Sequence, residues 1–230
     1  MSTLKNRLKS VLSGMIFDLE VESVADLGSG RYELEVCNNH YLKPCDRIGE
    51  SYEVESIDPL ILESLDGSIP EADSIINLWP PLFIHGPVKR ANQELIDYVE
   101  TKEPGEYSFP FIYLMEPYIE ETDNNKLSPF KSVAEVKLFF MSTYDPESFL
   151  VEDHHKNNIE PMRDLALAFI DEIDVRGDIF GEPEDFEIIG HIDFGLFRDA
   201  QGYIEKIFSQ NISGVELRIK LPLKKICSKC

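Results

Sequence analysis

Few places in this sequence bring together side chains that could do chemistry. Asp153-His154-His155 sets three metal-ligand types in consecutive positions. Adjacent side chains point apart on a helix or a strand, and a metal site needs three or four convergent ligands. The expectation is therefore a solvated loop ahead of a helix. His191-Ile192-Asp193 has the i, i+2 spacing that puts a histidine and a carboxylate on one strand face, as a general base and its orienting group would be. No serine, cysteine or second acid is tied to that pair. Cys227-Ser228-Lys229-Cys230 has the gap of half a zinc site, but Cys37 and Cys45 are too widely spaced to form the other half. Four ordinary reduced thiols are expected. Glu120-Glu121 and Glu182 with Asp185 read as solvated acids, and His85 beside Gly86 as a structural histidine. No phosphate-cradling GxxxxGK[ST] or GxGxxG loop, GxSxG elbow or HExxH pair is present. The residues point to no catalytic group, no cofactor and no metal.

The balance of charge narrows the classes further. The chain has 230 residues with 43 acids against 22 bases, a net charge of -21. Such a chain is repelled by phosphate backbones, which disfavours tight or sequence-specific nucleic-acid binding. A hydrophobic content of 43% is enough for a packed core. No run of about 18 apolar residues signals a membrane span, and the first 14 residues lack the apolar stretch of a secretory leader. A cytoplasmic site of synthesis is the expectation.

The elements that would position any site follow from periodicity. Residues 1–13 predict a helix with Leu4, Leu8, Val11 and Leu12 on one stripe. Over 14–78, short alternating runs are separated by turns such as Gly28-Ser29-Gly30, Gly49-Glu50 and Asp66-Gly67. That pattern predicts a small β-rich, barrel-like module. Residues 79–87, with Trp79-Pro80-Pro81, read as a rigid apolar crossing. Residues 88–222 predict an α+β domain. It has a helix from Val88 to Thr101, a buried strand from Phe109 to Met115, and a polar loop from Glu120 to Lys126. The alternating strand Ser132 to Tyr144 follows, then a helix from Asn158 to Ile173 capped by Asn157 or Asn158, and a final strand from Val215 that Pro222 stops. Glu216, Arg218 and Lys220 are expected to point outward from that last strand. Residues 223–230 form a basic tail. The fold class is α+β: an antiparallel or mixed sheet flanked by two helices, plus the N-terminal β module.

Three groups of segments carry a resemblance. They are Arg31 to Cys37 with Ile48 to Ile57 and Trp79 to Gly86; Tyr107 to Pro117 with Glu135 to Tyr144; and Asn158 to Arg163 with Asn211 to Lys220. Together they resemble structural proteins of tailed bacteriophages that infect Bacteroidota, including crAss-like phages. Their order is similar to that of tail-terminator and tail-completion proteins of phage necks. The resemblance implies a non-enzymatic virion protein of the head–tail junction, found in the neck and, during assembly, in the host cytoplasm. It implies a homo-oligomeric ring of six or twelve copies, neighbouring portal, connector or tail proteins as partners, and genomic DNA passing through without sequence-specific contact. Phe139, Phe149 and Phe197 are the apolar groups that could serve a ring contact. Acids would gather on the channel surface, and Lys and Arg outside or at subunit contacts. Two other readings stand beside it: a non-viral intracellular adaptor, and a metal-dependent hydrolase using His191, Asp193 or the Asp153–His155 cluster.

Overall fold

The computed structural model describes residues 3–15, 17–37, 42, 47–48, 50–57, 59–78, 80–101, 110–122, 130–144, 154–183, 185–198, 204–206, 208 and 211–224. Trp79, Cys45, Cys227, Cys230, Phe149 and Asp153 lie outside them, as do the rest of the 120–126 loop beyond Thr122 and the tail after Lys224. The fold is mixed α+β with two principal sheets, one of them curled into a half-barrel.

Helix α1 (Leu4–Leu12) opens the chain, with Thr3 as its N-cap accepting from the Asn6 amide. Its buried stripe is Leu4, Arg7, Leu8 and Val11. The first sheet follows: β1 (Asp18–Gly28), β2 (Arg31–Val36), β3 (Arg47–Ile48), β4 (Tyr52–Ile57), β5 (Leu60–Ser64) and β6 (Ser74–Asn77), in spatial order β3-β4-β5-β2-β1-β6. The β1–β2 hairpin turns at Gly28-Ser29-Gly30, all three at positive φ. Leu19, Val21, Tyr32, Leu34, Val54, Leu60 and Leu62 face inward and are buried. Strand β6 had no alternation strong enough to predict it. Its Ile75 is exposed and its Ile76 only partly buried against the core, and pairing with β1 holds the strand.

Within the 79–87 crossing, Leu82–Gly86 forms strand β7, paired in parallel with β8 (Phe111–Met115). The two prolines precede the strand on an edge of the sheet, where a missing amide breaks no ladder bond. Helix α2 (Val88–Thr101) makes the crossover between them. Strand β9 (Ile119–Thr122) occupies the start of the expected polar loop, because pairing with β10 (Phe130–Thr143) fixes it despite four exposed side chains. Helix α3 (Glu160–Val175) is entered through a π turn, His155–Ile159. Then come β11 (Phe186–His191), a small hairpin of β12 (Leu196–Arg198) with β13 (Ile204–Lys206), and β14 (Ile212–Lys224). The second sheet has the order β11-β14-β10-β8-β7.

Two expectations at element ends are corrected. Pro222 does not stop the last strand, which continues to Lys224 with Pro222 opposite Val133. The Pro222 carbonyl accepts from the Gly181 amide at 2.7 Å. A residue's N and carbonyl point the same way across an antiparallel strand, so the proline nitrogen faces the 179–181 segment, beyond the end of β11, and costs the β10 ladder nothing. Asn158 does not cap a helix. It is fully buried and donates to Ser213 Oγ at 2.7 Å, since the helical run already begins upstream of it.

A continuous core joins α1, the inner face of the first sheet, α3 and one face of the second sheet. Arg7 helps tie it together, donating from Nη1 to the Ile179 carbonyl (2.9 Å) and from Nη2 to the Lys224 carbonyl (3.0 Å). A second cluster forms on the other face of the second sheet, where Ala91 and Leu95 of α2 meet Ile84, Phe111, Tyr113, Phe139, Met141 and Phe208. The two helices therefore flank the sheet on opposite faces.

Candidate functional site: a half-open sheet face

Alternation on β10 divides its residues between the two clusters. Ala134, Val136, Leu138 and Phe140 pack toward α3. Glu135, Lys137, Phe139 and Met141 form the other row, and the chain treats its halves differently. Phe139 and Met141 are buried, Phe139 against Tyr113 (ring centroids 5.7 Å apart) and Phe194 (4.7 Å), with Phe208 5.8 Å from Phe194. Glu135 and Lys137 are exposed. The expected use of Phe139 at a ring contact is corrected by this packing, because its ring is consumed inside the subunit. Phe197 lies in β12.

Tyr113, under the covered half, donates to the Gly86 carbonyl at 2.8 Å, and burial followed by the nearby Glu116 pushes its phenol up to about 12. His85 lies on the opposite face of β7 from Ile84, with Nδ1 3.6 Å from Glu116 Oε1 and no hydrogen bond at that nitrogen.

The open half is a charged lattice centred on Glu216. The register sets Glu216 beside Phe139 on one side and Ile189 on the other, with Arg218 between Lys137 and Glu187, and Lys220 beside Glu135. Glu216 Oε2 lies 2.9 Å from His191 Nε2, Oε1 accepts from Arg218 Nε at 2.7 Å, and Lys137 Nζ is 3.8 Å away. The Glu216 side chain is only 5% exposed, against 51% for Lys137 and 44% for Arg218. Burial pushes the carboxyl up, but the hydrogen bonds from Arg218 and His191 and the charges of Arg218 and Lys137 outweigh it, so it titrates below the usual glutamate range. Lys137, Arg218 and Lys220 here match Glu135, Glu187 and Glu216 in number.

The candidate residues read from spacing are redistributed. His191 and Asp193 do not form a dyad. The strand ends at His191, Asp193 sits in the following turn at φ 57°, and the carboxylate that meets His191 is Glu216. Glu216 was expected to point to solvent. It does lie on the outer face, but the groups around it cover it. The only sequence sign of this pairing was the matched alternation of the two strands. His154 and His155 lie at the start of the helical run rather than in a loop, and they diverge. His154 is buried, its Nδ1 3.3 Å from Ser213 Oγ and its ring 4.4 Å from that of Tyr144, while His155 is exposed. Cys37 is an exposed free thiol, which burial and then the acids Glu22, Glu20, Glu35 and Asp73 push up. Glu120 bonds Ser132 Oγ, and Glu121, Glu182 and Asp185 are exposed. Among the described residues no three His, Cys, Asp or Glu side chains converge as a metal site, and no helix is long and apolar enough to cross a membrane.

The outer face of the first sheet differs in character. Asp18, Glu20, Glu22, Glu33, Glu35, Glu53, Glu55 and Glu63 alternate with the buried rows of β1, β2, β4 and β5. Among the described residues of that face the cations are Arg31 and Arg47, each spent on an ion pair, Arg31 with Glu55 at 2.5 Å and Arg47 with Glu53 at 3.7 Å. Set against family models, curated proteins and solved structures, the chain matches none of them.

Proposed function

We propose that this chain is a structural virion protein of a phage head–tail junction, a tail terminator or neck component that assembles as a closed ring. In this reading the ring has six or twelve copies, joins neighbouring portal, connector or tail rings, and surrounds the DNA channel without catalysis of its own. The observation that carries the reading is the segregation of charge. Eight carboxylates share the outer face of the first sheet with two paired arginines, while the open half of the second interleaves Lys137, Arg218 and Lys220 with its carboxylates. Subunits of net charge -21 repel one another, so their contacts belong where charge is compensated. An acidic face turned to the channel would let a polyanion slide past without sticking. A mixed sheet with a helix on each face suits a terminator-like domain, with the first sheet as an added module.

The reading is tested on purified tailed particles with a gold-labelled antibody to this chain. Label at the junction of head and tail is the expected result. Particles that carry the chain nowhere, or only on the capsid surface or tail tip, would overturn it.

A further inference from the structure

Two exposed surfaces of the chain are complementary. One is a groove on the open half of the second sheet, of about 190 Å³, walled by Met115, Tyr118, Ile119 and Val136. Lys137, Arg218 and the single acid Glu135 also line it. Ile119 is 61% exposed. Lys137 and Arg218 each engage Glu216 but leave about half of their side chains in solvent. Half-exposed cations beside an apolar groove stand out on a chain of net charge -21.

The other surface is the end of the first sheet where the β1–β2 turn meets the end of β5, joined by the Ser64 amide donating to the Gly30 carbonyl at 2.8 Å. Leu27 and Leu65 are both exposed there. Asp26 and Asp66 adjoin them in sequence. Asp26 accepts from the Gly28 amide at 2.7 Å, which fixes the turn. Asp66 accepts from the Ser68 amide (2.8 Å) and the Ser51 hydroxyl (2.9 Å), and these bonds hold its carboxyl below the usual range. This end is ordered, apolar at its tip and acidic at its flanks.

We infer that the Leu27–Leu65 end of one subunit seats in the Ile119 groove of the next copy, with Leu27 against Ile119 and Tyr118 and the flanking acids toward Lys137 and Arg218. Patch and groove are different surfaces, so the contact is heterologous and propagates head to tail, giving a ring when its rotation closes. The single contact is small. Closure makes the last one intramolecular, which is how weak contacts yield a stable ring. This inference rests on the ring reading and names its interface.

The test uses two full-length variants at exposed positions. Leu27→Glu spoils the apolar tip and leaves the groove intact; Ile119→Glu spoils the groove and leaves the tip intact. Each alone is expected to weaken self-association by about tenfold or more. Mixed, they should form a one-to-one dimer and nothing larger, because one sound tip meets one sound groove. Dimer formation on mixing also shows that both variants are folded. The double variant, Leu27→Glu with Ile119→Glu, has neither a sound tip nor a sound groove and should stay monomeric. If both single variants assemble like the wild type, this interface is wrong while the ring reading stands. If neither assembles and the mixture gives no dimer, the pairing of tip with groove is overturned. A wild type that stays monomeric removes the ring reading and the interface together.

Discussion

Gly214→Ala is expected to destabilise the protein by about 3 kcal/mol, at the upper end of the overpacking range. Gly214 pairs with Met141 near the start of β14, at the aromatic end of the outer face. A Cβ built there would lie 2.1 Å from the Phe140 carbonyl oxygen and 2.9 Å from Met141 Cα. Both are backbone atoms of the central strand, so relief requires the β10–β14 ladder to part. Gly190→Ala is the matched control. Its Cβ would sit 3.5 Å from an Ile159 methyl, ordinary contact, and a change of about 0.5 kcal/mol or less is expected. Urea unfolding of the two variants compares them directly. Equal effects would show that β10 and β14 are not in this register.

Glu216→Ala is expected to cost about 2 kcal/mol at neutral pH, within the range for a hydrogen-bonded ion whose partners are left behind. Full burial of all partners would make the loss larger, but Lys137 and Arg218 are half in solvent and rehydrate. The pH dependence carries a definite sign. The folded-state carboxyl titrates below the usual glutamate value, so its stabilisation is present above the unfolded value of about 4.3 and is lost as pH falls through the folded one. The gap in unfolding free energy between wild type and Glu216→Ala should therefore be full at pH 7 and narrow at pH values below about 4. A gap that widens in acid would mean that Glu216 is not held ionised by Arg218, His191 and Lys137.

Local alternation was sufficient to find β10 and β14, because each has one face in the core and residues two apart share it. The same alternation predicted the outward row of β10 but not the fate of its halves. Whether Phe139 is covered depends on Phe194 and Phe208, residues 55 and 69 positions later in the chain, which no window spanning one strand contains. Strands β6, β7 and β9 were missed for a related reason. Their own side chains are polar, exposed or preceded by prolines, and neighbours supply what holds them. The His191–Asp193 pair shows how spacing can mislead. Alternation places both on one face only while the strand lasts, and it ends at His191. The true partner, Glu216, is 25 positions away and becomes visible only once β11 and β14 are in register. The acidic face of the first sheet was implicit in the alternation of β1, β2, β4 and β5, although the charge total alone gave no hint of how the acids would be gathered.

On the proposed reading the chain closes into a ring through contacts that use the charge-compensated surface of its second sheet. The most direct measurement is negative-stain imaging of the purified full-length protein, with its mass in solution taken by light scattering at about 0.15 M salt, where the repulsion between acidic subunits is screened beyond about 8 Å. Closed rings of six or twelve copies with an open centre are the predicted result. A monomer at every concentration, or an open filament or two-fold dimer in place of a ring, would contradict it.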